Sequence, residues 1–321
     1  MSAQLAPKGV LAAALFAWVA LTAGTAASAA ASCDSVCLTG LATQYMDALA
    51  AEHWQDLPWA DTVHYAENSV KMTVGDGTWA TATARSATPL IIADPVAGTV
   101  AWIGTIDEHG QPGFYAMELT AKGDRIAAVQ AVIRRKQGRP PFGDPVTFRD
   151  APLFTEPLAR GHTSRRDVMT RLVTRYFVEQ AGGAGAAPGA VAPAAFGPTL
   201  FGKGCRLIEN GVAMTGNLPA VKGETGACSS AFQRGLFQEY ESVRQHIVAI
   251  DPARGLAVAV GYRDMPAANI KFAATDGKSY PAEAQYPRSM GFMTVFRIEN
   301  GAIAGVETIA SELPYMMPFP W

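Results

Sequence analysis

Two tyrosine–glutamate pairs are the residues of this sequence best suited to acid–base chemistry. Tyr45 is followed by Glu67, and Tyr176 is followed by Glu209 after a longer interval. A buried phenol donates a hydrogen bond to a bound oxygen, and a carboxylate beside it takes a proton from a carbon acid or activates water. We predict Tyr176 and Glu209 as catalytic residues and Tyr45 and Glu67 as ligand-binding residues. The alternative is that the tyrosines pack in the core and the glutamates hold loops.

An asparagine follows each glutamate, Asn68 in the first case and Asn210 in the second. Either amide could orient a carbonyl group or a water molecule in a site. The alternative is a turn-forming asparagine at a strand end, which the following Gly211 favours. Successive residues of a strand face opposite sides of its sheet, so we predict that one of Glu209 and Asn210 faces a cavity and the other does not.

Two histidines and a charged dipeptide are further candidates. His246 lies in a strand-like run and could shuttle protons, and His64 is treated in the same way; edge-exposed or core histidines are the alternative. Arg263 and Asp264 follow another strand-like run and could bind a carboxylate or position water together. Their alternative role is a surface ion pair or a turn.

The chain ends in a segment rich in proline, methionine and aromatic residues, 313–321. We predict that Tyr315 and its neighbours cover a pocket or a contact between repeated parts of the chain. The sequence contains no nucleophile elbow, phosphate loop or dinucleotide motif, and no two histidines have metal-ligand spacing. It therefore predicts neither a cofactor nor a metal.

Four cysteines, Cys33, Cys37, Cys205 and Cys228, favour disulfides in an exported chain. Three pairings are possible, and we favour Cys33–Cys37 with Cys205–Cys228. A metal site is the competing interpretation, although the spacing lacks paired C-x-x-C knuckles.

Residues 1–31 have the pattern of a signal peptide. Lys8 precedes an apolar run too short to span a membrane, and Ala27-Ser28-Ala29 resembles a cleavage site. A lipid anchor at Cys33 is the alternative. We predict an exported protein, periplasmic or secreted. The net charge of −2 and the scattered basic residues give no indication of nucleic-acid binding. No stretch after the leader is long and apolar enough to span a bilayer.

Three sequence blocks recur in the same order, which indicates an internal repeat. The matching blocks are 42–46 with 173–177, 65–72 with 207–214, and 125–129 with 302–306. A Gly/Ala/Pro-rich stretch, 181–192, lengthens the second copy. We predict a first domain at 32–137, a proline-rich connector at 138–161 and a second domain at 162–321.

Each copy is predicted to run from a helix through a short strand into a strand meander. The meanders are 99–106, 114–119 and 126–133 in the first copy, and 256–262, 291–299 and 302–309 in the second. Asn300-Gly301 is typical of a type I′ hairpin. The predicted fold class is α+β, with two tandem cone-shaped domains. In each, a curved antiparallel sheet wraps around N-terminal helices and leaves an apolar cavity.

The order of helix, Glu-Asn pair and meander resembles the SnoaL-like, ketosteroid-isomerase-like cones of the nuclear transport factor 2 superfamily. More closely, it resembles a family of exported bacterial and fungal proteins of unassigned function. The segments that carry the resemblance are 33–38, 65–68, 75–79, 209–212 and 313–318, with Cys205 and Cys228. It implies a carboxylate base and a phenol donor in an apolar cavity, with the base nearer the Asn68 or Asn210 position. Ile208 and Met265 stand where those relatives often have histidines.

These patterns together predict a cofactor-free lyase, isomerase or hydrolase that acts on a small hydrophobic molecule. The second copy is the better candidate for catalysis, because it keeps Glu209-Asn210-Gly211, a disulfide and the closing tail. The alternatives are a non-catalytic small-molecule binding protein and a protein-interaction module. A homodimer that pairs sheet to sheet is a further expectation.

Overall fold

The computed structural model describes residues 33–138, 140–181, 200–214, 228–233, 240–267, 271–273, 279–281 and 285–321. The predicted signal peptide and residues 182–192 of the predicted insert lie outside the described residues. Residues 32–321 form one compact unit. No helix among the described residues is long and apolar enough to cross a membrane.

The first half of this unit is one helix and a seven-stranded mixed sheet. Its elements are α1 (Ser35–Ala50), β1 (Trp59–Glu67), β2 (Val70–Lys71), β3 (Ala82–Arg85), β4 (Leu90–Asp94), β5 (Thr99–Glu108), β6 (Gln111–Lys122) and β7 (Arg125–Arg134), with 3-10 turns at Trp54–Asp56 and Gly77–Ala80. The strand order is β2-β1-β7-β6-β5-β3, and β4 also pairs with β5. Strands β1 and β7 are parallel, whereas the other pairs are antiparallel.

The second half repeats this arrangement with a six-stranded sheet. Its elements are α2 (Pro152–Thr155) in the connector, α3 (Arg166–Gln180), β8 (Phe201–Glu209), β9 (Val212–Ala213), α4 (Cys228–Gln233), β10 (Ser242–Asp251), β11 (Leu256–Met265), β12 (Lys271–Ala273), β13 (Ser279–Pro281), β14 (Arg288–Glu299) and β15 (Ala302–Pro314). The order is β10-β11-β14-β15-β8-β9, with β8 parallel to β15, and β12 pairs with β13 separately. The order β9-β8-β15-β14-β11 matches β2-β1-β7-β6-β5 of the first half.

The two long helices each bury one apolar face on one sheet. Asp34 caps α1 by accepting a hydrogen bond from the Cys37 amide at 2.9 Å. Tyr45 lies on the buried face of α1, and Tyr176 lies on the buried face of α3. Each helix therefore directs its predicted site tyrosine toward the sheet.

The opposite faces of the two sheets pack against each other. Phe114 and Ala116 of β6 share a buried cluster with Val258 of β11 and Met293 of β14. Neighbouring residues on the same strands, such as Met117, belong instead to the cluster under α1. The layers are therefore helix, sheet, sheet and helix.

The predicted fold class is wrong. The described residues are mostly β, in two mixed sheets, and neither sheet is a wholly antiparallel layer wrapped around helices as two separate cones require. The physical reason is that the strands are apolar on both sides: all ten residues of β11 are buried. A sheet with two apolar faces needs a cover on each of them. Here one cover is a helix and the other is the second sheet.

Several local predictions are confirmed. The two predicted meanders are β5–β7 and β11, β14 and β15, each somewhat longer than expected. Asn300 and Gly301 have φ of 50° and 71°, which a type I′ turn requires. The structure contains the Cys33–Cys37 and Cys205–Cys228 disulfides.

Candidate functional site

The Glu67 carboxylate is buried at the end of β1, on the side of the sheet that α1 covers. Its Oε1 accepts hydrogen bonds from the hydroxyls of Tyr65 and Thr78 and from the Thr78 amide at 2.9 Å. Its Oε2 accepts a longer bond, 3.2 Å, from the same amide. A Cβ at residue 77 would collide with this carboxylate, so Gly77 is required there. Oε1 is thus saturated, while Oε2 keeps most of its acceptor capacity.

Four buried donors in the core beneath α1 lack a hydrogen-bond partner among the described residues. They are the hydroxyls of Tyr45 and Tyr115 and the indole N–H groups of Trp79 and Trp102. The Tyr45 and Trp79 rings lie 5.1 Å apart, and the Trp102 and Tyr115 rings 6.0 Å apart. Native cores leave few such groups unpaired, so four of them in one core are unusual.

The phenols of this cluster stay protonated. Burial raises the pKa of Tyr45 and of Tyr115 well above the usual value, and the nearby charge of Glu67 raises both further. The two hydroxyls lie close enough to influence each other but not in good hydrogen-bonding geometry. Burial also raises the pKa of Tyr65. All three tyrosines are therefore neutral hydrogen-bond donors at physiological pH.

In the second half, the structure brings Tyr176, Glu209 and Arg263 together. Arg263 is 4% exposed, and its Nη1 donates to Glu209 Oε2 at 3.0 Å. The Arg263 guanidinium also lies 5.0 Å from the centre of the Phe292 ring. Burial raises the pKa of Tyr176 to about 12, with Arg263 lowering it and Glu209 raising it. This site holds a charge pair where the first half holds neutral donors.

The two predicted asparagines bind backbone instead of facing a cavity. Asn68 donates to the Ile133 carbonyl at 3.1 Å and accepts from its amide at 2.8 Å. Asn210 donates to the Pro141 carbonyl at 3.1 Å and accepts from the Ala310 amide at 2.8 Å. Their φ angles are 45° and 47°, as in tight turns. Both therefore have the turn role that was the alternative interpretation.

Arg263 and Asp264 do not act as a pair, which corrects that prediction. Asp264 accepts hydrogen bonds from Arg244 at 2.7 and 2.9 Å, from Ser242 at 2.6 Å and from Ser289 at 2.5 Å. Burial favours a higher pKa for Asp264, but these donors outweigh burial and lower it. Because neighbours on a strand point to opposite faces, Arg263 reaches Glu209 while Asp264 anchors the other side of β11.

The histidines and the tail residue lie outside both sites. His246 is on the edge strand β10, with Nε2 at 3.2 Å from Glu118 Oε2 of the first half. The ring of His64 lies 5.6 Å from that of Trp321. Tyr315 donates to Glu241, which raises its pKa to about 12. These contacts place the tail at the junction of the two halves, outside both sites.

The sequence did not predict two groups of ionisable residues inside the fold. Asp150 and Glu307 are close enough to interact, and each has an oxygen without a partner among the described residues. Arg134 and Arg288 are also buried and line one cavity. A charged residue inside an apolar strand, as Glu307 is in β15, was the signal available. The described part of the chain has no group of three or more residues suited to bind a metal.

One comparison with known proteins finds a match. A family profile described as "Domain of unknown function (DUF8021)" matches residues 192–310. No curated protein matches the chain. The matched range contains Glu209 and Arg263 but ends before Tyr315 and does not reach the Glu67 cluster.

Proposed function

We propose that this exported protein binds a small, largely apolar molecule in the core beneath α1 and acts on it without a cofactor. The molecule carries a carbonyl or a comparable acceptor, and the reaction is that of a lyase, an isomerase or a hydrolase. The observation that carries the proposal is the set of four buried, unpartnered donors in this core, two of which, Tyr45 and Tyr115, lie near the Glu67 charge. An acceptor in their midst would recover hydrogen bonds that the core otherwise lacks.

The chemistry follows from the roles of the two carboxylate oxygens. Three donors hold Glu67 Oε1 in place, so Oε2 is the atom that takes a proton from a bound carbon acid or from water. The Tyr45 and Tyr115 hydroxyls donate to the oxygen on which negative charge develops. Neutral, fixed donors in a water-poor site stabilise such charge strongly.

Export is supported by two independent features. The predicted leader at 1–31 precedes the described residues, and all four cysteines of the chain are in disulfides. Disulfides persist mainly in oxidising compartments such as the periplasm or the extracellular space.

Binding without turnover is the second candidate function. It is favoured by the three hydrogen bonds that already hold Glu67 Oε1, because they give this buried carboxylate a structural role. In that case the Glu67 cluster shapes the pocket and transfers no proton.

A turnover screen with matched variants separates these functions. We expect the mature chain to convert at least one compound from a panel of aromatic and terpenoid aldehydes, alcohols and epoxides. Glu67→Gln should lower kcat at least about 100-fold, the usual effect of losing a general base. Glu209→Gln, at the equivalent position, should leave it within about threefold.

Three other results of this turnover screen would change the proposal. Equal turnover by wild type and Glu67→Gln removes Glu67 as the base. Loss of turnover in Glu209→Gln alone moves the reaction to the second half. Binding of panel compounds with no turnover by wild type supports the second candidate function.

A further inference from the structure

A cavity of about 350 Å³ lies between the first sheet and the connector, apart from both sites described above. Its sheet side is formed by residues 84–88 and by residues 104–107 of β5, and its other side by connector residues between 145 and 150. Ile106 and Phe148 give it an apolar wall, and Asp150 lines it with a carboxyl group. Its volume is within the range of small-molecule sites.

Asp150 and Glu307 form a pair of carboxyl groups at this cavity, and we call them the carboxyl pair. Glu307 is 2% exposed, and its Oε2 has no hydrogen-bond partner among the described residues, nor has Asp150 Oδ1. The Asp150 charge reaches Glu307, to which the Ala151 amide also donates a hydrogen bond. Carboxylates inside a fold are costly to keep ionised unless a cation pairs with them.

The other charged residues that line the cavity do not supply that cation. Arg85 already pairs with Asp47 of α1 at 2.5 Å. Arg149 is exposed, and the lining also contains Asp107, whose negative charge offsets it. The carboxyl pair therefore leaves the cavity with an excess of negative charge when it is ionised.

The strands that flank β15 do not supply the cation either. Arg206 of β8 and Arg297 of β14 both pair with Gly305, two residues before Glu307 and on the same face of the sheet. Arg206 is exposed, and Arg297 is held by Glu299 at 2.8 Å. Within the described part of the chain, Glu307 thus has no cationic partner.

We propose that this cavity binds a small organic cation with a primary ammonium group, held beside the carboxyl pair. The ammonium group supplies the missing positive charge, and its three N–H donors suit carboxyl oxygens that lack partners. The wall of Ile106 and Phe148 contacts the alkyl part of the molecule. The site is independent of the proposed reaction at Glu67.

Calorimetric titration of the full mature chain with putrescine and with butylammonium tests the proposal. Burial raises the pKa of Asp150 to about 7, so a titration at about pH 8.5 keeps this carboxyl ionised. We expect wild type to bind at least one compound with a Kd of about 1 mM or tighter. Asp150→Asn should bind it at least about tenfold more weakly. Arg149→Gln should bind it up to about threefold more tightly, because it removes a cation at the rim.

Asp144→Asn is the matched control on the same connector. Asp144 is exposed and does not line the cavity, and it accepts hydrogen bonds from the Val146 amide at 3.0 Å and the Thr147 hydroxyl at 2.9 Å. The affinity of this variant should stay within about twofold of wild type. The proposal is overturned if neither compound binds wild type, if the two aspartate variants weaken binding equally, or if Arg149→Gln weakens it.

Discussion

Equivalent residues of the two halves have acquired different chemistry. Tyr115 of β6 pairs with Ile133 of β7, and Asn68 binds the backbone of Ile133. Phe292 of β14 likewise pairs with Ala310 of β15, and Asn210 binds the backbone of Ala310. The first half therefore has a phenol where the second has an apolar ring. The second half instead places Arg263 beside its glutamate. This divergence moves the better candidate for neutral acid–base chemistry from the second copy to the first.

The two tyrosines beside Glu67 should respond in opposite ways to the same substitution. The Tyr45 hydroxyl has no described partner, so Tyr45→Phe should leave the free energy of unfolding unchanged or raise it by up to about 1 kcal/mol. Tyr65 donates to Glu67, so Tyr65→Phe should lower it by about 1–3 kcal/mol. Urea unfolding measures both values. An equal loss in the two variants would show that the Tyr45 hydroxyl is satisfied.

The sequence predicted the Tyr176–Glu209 association but not the Arg263–Glu209 pair. The repeat located both members of the first pair, because matching blocks contain them. The second pair depends on the register of separate strands, which the sequence does not contain. Arg263 was instead paired with its neighbour Asp264, although neighbours on a strand face apart.

The strands were the most predictable elements. Turn residues such as Asn300-Gly301 mark where each hairpin ends, and the meanders follow from them. The layers were not predictable in the same way. A run that is buried throughout, as in β11, indicates a strand covered on both faces but not what covers it. The prediction of two separate cones failed at this step.

The connector residue Asp150, which is half-buried, forms a carboxyl pair with the buried Glu307 of β15. Glu307 is 2% exposed, and burial together with the charge of Asp150 raises its pKa to about 8. Burial raises the pKa of Asp150 to about 7. These two carboxyls are thus protonated over much of the pH range in which carboxyls of ordinary pKa are ionised.

The raised pKa of Glu307 predicts how stability depends on pH. The folded protein holds this proton more tightly than the unfolded chain, so the free energy of unfolding should fall as pH rises from about 4.5 to about 8. Glu307→Gln removes this penalty and should stabilise the protein by about 2–4 kcal/mol at pH 8 but hardly at pH 4.5. Urea unfolding measured across this pH range checks the prediction.

The control is Glu52→Gln, a substitution at an exposed residue. It should leave the dependence of the free energy of unfolding on pH the same as in wild type. A stability that is independent of pH in wild type, or a gain from Glu307→Gln that is equal at both pH values, would rule out a raised Glu307 pKa.

At the scale of the whole molecule, the two halves share one core. The sheet faces that were expected to form a homodimer interface instead pack on each other within one chain. The His246–Glu118 contact and the tail residue Trp321 against His64 join the halves at their edges. Each half keeps its helix-covered face outside this shared core.

The central claim is that the first of these faces binds a carbonyl compound through its phenols. Its most direct test is the affinity for neutral aromatic and terpenoid aldehydes and ketones, measured by quenching of tryptophan fluorescence, since Trp79 and Trp102 line the cluster. We expect Tyr45→Phe/Tyr115→Phe to bind at least about tenfold more weakly than wild type, and Tyr176→Phe to bind as wild type does. Unchanged affinity in the double variant, loss in Tyr176→Phe alone, or no quenching of wild type by any compound would contradict the account.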